Sequence, residues 1–317
     1  MNLQKYIKYL VFIVLIIASL FYVNYRIHKL CFIKFKPGKF KLSVIKNELY
    51  GLCDGEIYMY RENEGWENLE YREKVSAMIS GDRICLLEQD GDIYIEIFET
   101  TSSVPLTTGA ASEFQNRILE INKSHPFKAI NGSAYSLWFC AILSDDSLLY
   151  PIKNCEFGRF ILDEKPIDLK EDYILTENGN VYRLINHGYD RYGNAKIELK
   201  KIYTGENCIK MEIMNGNIIG VGINDAYEVI VWNDSKKDFP DLTDWDNIRE
   251  VELSQTFVAG LAENGTVIFE HLWDDEQTEN VQNIVSAWEN IIDIEHYYNE
   301  WLYAVDDNGK CYCVEIK

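Results

Sequence analysis

A short turn signature that recurs along most of this 317-residue chain constrains its fold more than any other feature. In each clear copy, Asp or Asn is followed by Gly, one free position and an aliphatic residue or Cys, often with Tyr next. The turn glycines of the five clear copies are Gly55, Gly91, Gly179, Gly265 and Gly309. Because Asp-Gly and Asn-Gly tolerate the positive φ that tight hairpins require, each copy predicts a turn between two strands.

Two degenerate copies, at 145–149 and 225–229, complete a set of seven, with Ser147 and Tyr227 in the glycine position. At these two positions we expect a longer turn or a different turn type. From Gly55 to Gly309 the seven positions are separated by intervals of about 42 residues on average, which is the length of one propeller blade. The sequence therefore predicts an all-β chain that folds as a β-propeller of about seven blades, with six or eight blades left open.

A second element repeats in step with the turns. Trp-Asp-Asn-Ile at 245–248 and Trp-Glu-Asn-Ile at 288–291 lie 43 residues apart, and 66–69 is a looser copy. We expect these tryptophans to pack between neighbouring blades. The stretch from Trp245 to Val267 resembles repeats of the regulator of chromosome condensation family, in the degenerate form found in bacterial proteins.

Members of that family are commonly seven-bladed propellers, so the resemblance implies the fold that the turn count predicts. The Gly-Gln-Leu-Gly stretch of the eukaryotic repeats is missing from this chain. The resemblance therefore implies the propeller fold, and neither nucleotide exchange nor chromatin binding is carried over from it.

An uncharged, mostly apolar run of 17 residues covers 9–25, between Lys8 and Arg26. As a helix it would be about 26 Å long, enough to cross a bilayer if the flanking charges snorkel. A cleaved signal peptide is the competing interpretation, but the apolar run continues past the only plausible cleavage site. The predicted organisation is a basic tail at 1–8, a transmembrane helix at 9–25, a basic juxtamembrane linker at 26–39 and the propeller at 40–317.

Charge divides the chain in the same place. Residues 1–40 contain seven Lys or Arg and no acid, whereas 41–317 contain 24 basic and 51 acidic side chains, a net charge of −27. Such a field repels phosphate backbones, which argues against nucleic-acid binding, although solubility alone also explains the acidity. The predicted partners are the lipid bilayer, through 9–25, and a protein with a basic surface. The sequence does not predict the oligomeric state.

The predicted location is the cell membrane, and the side on which the propeller lies stays open. The basic flank after the helix favours the cytoplasm, because positive residues tend to stay inside. Seven cysteines in the propeller, without disulfide spacing, read as free buried thiols and favour the same side. The opposite expectation is that a short N-terminal anchor exports the domain attached to it.

No motif for a catalytic, phosphate-binding or zinc site occurs in the sequence. Cys311 and Cys313 fall on one face of a strand, but strand packing is favoured over a metal half-site. We therefore predict no catalytic residue, no cofactor and no metal ligand.

Two aromatic and charged loops are the candidate partner-binding segments, because exposed aromatic residues beside charges form adhesive surfaces. Their residues are Tyr189, Arg191, Tyr192, His271, Trp273, Asp274 and Asp275. Further expectations are loops at 99–116 and 271–283, an outer strand at 197–203, and 40–45 as a candidate for completing the last blade.

Two hypotheses of function arise from these observations. The first is a membrane-anchored propeller that acts as a protein-interaction or sensing module without catalysis, and it predicts no cluster of titratable groups at the propeller axis. The second is a propeller hydrolase or lyase acting on glycan or peptide. It predicts carboxylates within about 10 Å of each other at one mouth of the channel, beside an aromatic platform.

Overall fold

The computed structural model of this chain describes residues 35–316, apart from 46–47, 63, 72–73, 80–82, 90, 92, 98–107, 134–137, 154–155, 171, 190–194, 205–206, 215–218 and 234–238. The predicted tail, the predicted transmembrane helix and most of the linker lie outside these residues. None of the helices within the described ranges has the length and apolar character needed to cross a bilayer.

The described residues form seven antiparallel sheets of three or four strands, each from one continuous stretch of chain. The first sheet contains β1 (Phe40–Ile45), β2 (Glu48–Cys53), β3 (Glu56–Arg61) and β4 (Gly65–Asn68). The second contains β5 (Val75–Ile79), β6 (Arg83–Glu88) and β7 (Ile93–Ile97). The third contains β8 (Phe127–Ser133), β9 (Trp138–Leu143), β10 (Leu148–Lys153) and β11 (Glu156–Phe160).

The remaining four sheets continue in chain order. The fourth contains β12 (Pro166–Lys170), β13 (Tyr173–Thr176), β14 (Asn180–Tyr189) and β15 (Ala195–Thr204). The fifth contains β16 (Cys208–Ile213), β17 (Ile219–Asn224) and β18 (Val229–Asn233). The sixth contains β19 (Ile248–Leu253), β20 (Phe257–Ala262) and β21 (Val267–His271), and the seventh contains β22 (Ile291–Tyr297), β23 (Trp301–Asp306) and β24 (Cys311–Glu315). The predicted outer strand at 197–203 lies within β15.

Successive sheets are joined through their first strands. Each of β5, β8, β12, β16 and β19 contacts the first strand of the next sheet, and β2 connects the first sheet to β5. The seventh sheet contacts the first through β22 and β1. The first strands therefore surround a common centre, and the outer strands point away from it.

Several second strands lie in the buried interior between neighbouring sheets. Every residue of β20 is buried, as are all four residues of β13 and five of the six in β17. Such strands are continuous apolar runs because both of their faces are covered. Glycine in this layer makes room for large rings: a Cβ on Gly260 would lie 2.7 Å from the indole of Trp245.

The turns between second and third strands follow the repeated signature. The five signature glycines have φ between 74° and 93°. Asp146 and Tyr227 also have positive φ, 65° and 63°, and each donates its N–H to the carbonyl three residues earlier. In the first degenerate copy the residue in the glycine position is therefore Asp146, and the assignment of Ser147 to that position is wrong. The expectation of a different turn is wrong as well, because both copies keep a turn residue with positive φ, at the expense of strain in a residue with a side chain.

Two helices in the described residues occupy segments predicted as loops. Helix α1 (Thr108–Ser124) precedes β8, and its Ile118 is fully buried against the second and third sheets. Helix α2 (Asp275–Val285) follows β21, and its Val281 and Val285 are buried in the core of the sixth and seventh sheets. The loop predictions at 99–116 and 271–283 fail here because each helix has only a few apolar residues on one face.

The junction of the first and seventh sheets does not use a shared strand. β1 pairs with β2, so the suggestion that 40–45 completes the last sheet is wrong. Instead, the Trp66 Nε1–H donates to the Gly309 carbonyl at 2.8 Å, and the Leu42 N–H donates to the Asp293 carboxylate. Phe35 packs on this junction, in an apolar cluster with residues from both sheets.

Candidate functional site

The first strands share an irregularity that places polar side chains at the centre of the molecule. Six of the seven first strands contain a register shift against the second strand after their opening residue. A bulge of this kind re-aims the side chains beyond it. In four of these strands the next positions are charged and alternate with buried apolar residues, as in Glu250-Val251-Glu252 and Asp293-Ile294-Glu295.

A cavity of about 390 Å³, which we call the axial cavity, is lined by residues from the first strands of all seven sheets. Its lining contains four basic groups, Lys41, Lys128, Lys170 and His296. It also contains six carboxylates, Asp168, Glu212, Glu250, Glu252, Asp293 and Glu295. A second cavity of about 360 Å³, the mouth cavity, shares Asn131, Lys170, Glu212 and His296 with the first.

Lys170 and Glu212 form an ion pair between the fourth and fifth sheets, with Nζ and Oε1 2.5 Å apart. Burial opposes the charge of Lys170, but the nearby carboxylates of Glu212 and Asp168 outweigh it and raise the pKa of the amine. Burial also raises the pKa of Glu212, to about 7, although Lys170 acts in the opposite direction. The pair therefore holds a fixed cation at the junction of the two cavities.

Glu252 and His296 form an equivalent contact between the sixth and seventh sheets, with Oε2 and Nδ1 2.6 Å apart. Burial disfavours the imidazolium, yet the hydrogen bond and charge of Glu252 raise the pKa of His296 to about 9. Burial opposes ionisation of Glu252 as well, but His296 and Lys170 lower the pKa of that carboxyl. At neutral pH this contact is a histidinium–carboxylate pair.

Two further carboxyl groups form no ion pair within the described residues. Burial, followed by the charge of Glu250, raises the pKa of Asp293 well above its usual range. Burial and the charge of Glu252 raise the pKa of Glu295 to about 8. The fold therefore holds more acids at its centre than the basic groups there neutralise.

This arrangement contradicts the expectation, attached to the interaction hypothesis, that titratable groups would not converge at the axis. The sequence carries the signal for it, because acids two positions apart on a strand fall on one face. Glu250 and Glu252 in β19 recur as Asp293 and Glu295 in β22, with Lys210 and Glu212 in β16. The turn signature does not reveal this convergence, because the charged pairs lie on the first strands and not in the turns.

The rim of the mouth cavity carries two exposed aromatic side chains. Tyr298 lines this cavity and is 51% exposed. Trp273 is 49% exposed, and its Nε1–H donates to the Gln255 carbonyl at 3.1 Å. Gln255 in turn donates its backbone N–H to the Asn299 side chain at 3.0 Å, which ties the two loops together. The result is an ordered aromatic and amide rim around the entrance.

The other residues of the predicted loop at 271–275 have structural surroundings. His271 is buried, and its Nδ1 accepts the Trp273 N–H at 3.2 Å. Burial lowers the pKa of His271. Asp274 is the N-cap of α2 and accepts two backbone N–H groups, and Asp275 is the first residue of that helix. Trp273 therefore supplies the large exposed side chain of this loop.

The second predicted loop lies largely outside the described residues. Arg191 and Tyr192 fall in the gap at 190–194, and Tyr189 ends β14 without a described side chain. Partner binding by this loop therefore stays a prediction.

The repeated tryptophans are buried, whereas the cysteines differ in their burial. Trp66, Trp245 and Trp288 are all at least 92% buried, as expected for packing residues. Cys140 and Cys208 are buried, whereas Cys313 is exposed, which corrects the expectation that the thiols are buried throughout. In the described part of the chain, no group of His, Cys, Asp and Glu side chains is arranged to hold a metal ion.

Comparison with known proteins identifies the fold. No protein-family model and no curated protein matches this sequence. Among solved structures, the CRINKLY WD40 ectodomain of the Arabidopsis thaliana receptor kinase ACR4 matches with a TM-score of 0.50 and 11% identity, covering 88% of this chain and 96% of that chain.

Two weaker matches are human WBSCR16 and yeast RCC1 (Prp20). WBSCR16 has a TM-score of 0.47 at 12% identity, covering 78% of each chain. Prp20 has a TM-score of 0.43 at 14% identity, covering 77% of this chain and 68% of that chain. At these identities, what the first match shows is the fold alone, and the described residues are those of a β-propeller.

Proposed function

We propose that this protein is a membrane-anchored β-propeller of seven blades, closed between its first and seventh sheets, that binds a protein partner without catalysis. The observation that carries the proposal is the rim of the mouth cavity, where Trp273 and Tyr298 present large exposed rings. Exposed aromatic residues in a fixed geometry are typical of the central contacts in protein interfaces.

The loops that carry these rings are preorganised. The Thr256 hydroxyl donates to the Asn299 carbonyl at 2.7 Å, and the Gln255 backbone is held by the Asn299 side chain. Little side-chain or loop ordering is then needed on binding, which favours affinity. The partner therefore contacts the face of the propeller that carries the loops between first and second strands.

A photo-crosslinking experiment tests the partner face. In the full-length chain, p-benzoylphenylalanine replaces Trp273 in one variant and Tyr227 in a matched control. Tyr227 is also exposed, but it lies in a turn at the opposite end of the second strands. We expect a discrete crosslinked species from the Trp273 position only, weakened by Tyr298→Ala. The same products from both positions would refute the assignment of the face.

The anchor is proposed from the sequence at 9–25. Deletion of 9–25 is expected to move the protein from the membrane fraction to the soluble fraction, and retention in the membrane fraction would refute the anchor. The exposed Cys313 reports the side of the membrane through labelling with a membrane-impermeant maleimide in intact cells, with Cys313→Ser as the control.

One observation favours a propeller hydrolase or lyase as the second candidate. Glu252 and Glu295 share a cavity lining, but the pKa of the first is lowered and that of the second is raised to about 8. Carboxyl groups whose pKa values are pushed apart are suited to base and acid roles. Turnover of glycan or peptide substrates that is lost in both Glu252→Gln and Glu295→Gln would support this candidate over the binding module.

A further inference from the structure

We propose that the axial cavity binds a basic side chain, the ammonium of a lysine or the guanidinium of an arginine, inserted by the protein partner through the mouth cavity. This inference rests on the proposed function, because it names the group that the partner supplies. It adds a site that is separate from the aromatic rim.

The first argument is the balance of charge in the lining. Each cation described in the lining already contacts or faces an acid. Lys170 pairs with Glu212, and His296 pairs with Glu252. Lys128 pairs at 2.5 Å with Asp146, which does not line the cavity. Lys41 is exposed and lines the cavity, and its charge, like those of His296 and Lys170, favours the ionised form of Glu295. The carboxylates therefore outnumber the cations that face them.

The second argument is the state of Glu295. Its side chain is partly buried and faces the axial cavity, and within the described residues it makes neither a hydrogen bond nor an ion pair. Neighbouring acids are engaged, since Asp293 accepts the Leu42 N–H and Glu250 lies 3.4 Å from Lys210. An interior carboxyl that lacks such a contact is costly unless it stays protonated or acquires a cation.

The third argument is access. Glu295 is in β22, and Tyr298 follows that strand three residues later, so Glu295 lies roughly 10 Å from the rim. The mouth cavity is lined by His296 and Glu212, which also line the axial cavity that Glu295 faces. A long unbranched side chain with a terminal charge fits this path, because its stem passes the Tyr298 ring while its head meets the carboxylates.

Proton release gives the site a measurable signature. Burial raises the pKa of Glu295 to about 8, so the carboxyl is mostly protonated at pH 7. A bound cation favours the carboxylate, and the proton leaves on binding. The affinity should therefore rise about tenfold per pH unit between pH 6 and pH 8, because one proton is released per ligand bound.

The test uses the full-length chain and three short neutral-capped peptides that differ only at the central residue, which is lysine, arginine or norleucine. Calorimetric titrations in two buffers of different ionisation enthalpy measure the protons released. We expect the lysine and arginine peptides to bind at millimolar concentration with release of about one proton at pH 7, and the norleucine peptide not to bind. Equal binding of all three peptides, or no binding of any, would overturn the proposal.

Variants assign the site to Glu295. Glu295→Gln should weaken binding at pH 8 about ten- to hundredfold and reduce the pH dependence, since a charge-assisted contact is lost and only Glu212 and Asp293 remain as lining carboxyls with raised pKa values. Glu263 lies in an exposed turn at the far end of β20, so Glu263→Gln should leave the affinity and its pH dependence unchanged. A pH dependence in Glu295→Gln as steep as in the wild type would overturn the assignment.

The same variants separate this proposal from the one on which it rests. If crosslinking at Trp273 persists unchanged in Glu295→Gln and at every pH, the partner face stands and the cation site fails. If the lysine peptide binds but Trp273 yields no specific crosslink, the cation site stands and the partner face fails.

Discussion

Stability should fall as the pH rises from 7 to 8, and the axial cluster determines the slope. The pKa of Glu295 is raised to about 8 and that of His296 to about 9 in the folded protein. In the unfolded chain these groups release their protons near pH 4.3 and 6.5. Between pH 7 and pH 8 these two groups therefore hold up to two protons in the folded state that they lack in the unfolded state, and the raised pKa values of Glu212 and Asp293 act in the same direction.

Because the folded state binds more protons in this window, raising the pH favours unfolding. Each extra proton corresponds to about 1.4 kcal/mol of unfolding free energy per pH unit, so the two groups together give a slope of up to about 2.7 kcal/mol per unit. Glu295→Gln removes one of them and should reduce the slope by up to about 1.4 kcal/mol per pH unit. It should also make the protein more stable than the wild type at pH 8, since a repelled carboxylate is gone.

Urea unfolding at pH 6, 7 and 8, followed by tryptophan fluorescence, measures these slopes. Glu263→Gln is the matched control, because it removes an exposed carboxylate outside the cluster and should run parallel to the wild type. A flat wild-type profile, or a Glu295→Gln profile parallel to it, would refute the electrostatic reasoning.

Three further predictions concern the frame of the propeller, each measured as a shift in the urea midpoint. Tyr227→Gly should stabilise by about 0.5–1 kcal/mol, because glycine relieves a φ of 63° at some entropic cost; a lower midpoint would contradict this. Gly220→Ala should destabilise the folded protein by about 2–3 kcal/mol, because the new Cβ would lie 2.3 Å from the Trp232 ring. An unchanged midpoint would show that the ring moves freely. Trp66→Phe should lose about 1–3 kcal/mol by leaving the Gly309 carbonyl without its donor, and a loss well below this range would mean that water replaces the indole.

The repeated turns made the architecture predictable from sequence. A turn residue acts within four positions of the chain, so Asp-Gly and Asn-Gly identify hairpins without any tertiary information. The mean spacing of those hairpins, about 42 residues, then indicates a propeller. Tyr227 shows the limit of the method, because the surrounding blade forces the same turn on a residue that local preference excludes.

The helices and the axial cluster were harder to predict for different reasons. Helix α1 has a weak apolar stripe, and its burial depends on a core that only the assembled sheets provide. The members of the cluster lie on separate strands far apart in the chain, from β1 to β22, and no local pattern brings them together. Alignment of the first strands alone would have predicted that Glu250, Glu252, Asp293 and Glu295 share one face.

The way in which the first and seventh sheets meet has a mechanical consequence. Phe35 is 2% exposed and packs edge-on against Trp66, the residue whose indole bridges to Gly309. Tension applied to the chain before Phe35 therefore enters the propeller at the junction of its two ends. Within the described residues the two sheets share no strand, so the load falls on side-chain contacts and on the hydrogen bonds from Leu42 to Asp293 and from Trp66 to Gly309. A tether at the N-terminus would make this junction the first part of the propeller to feel force.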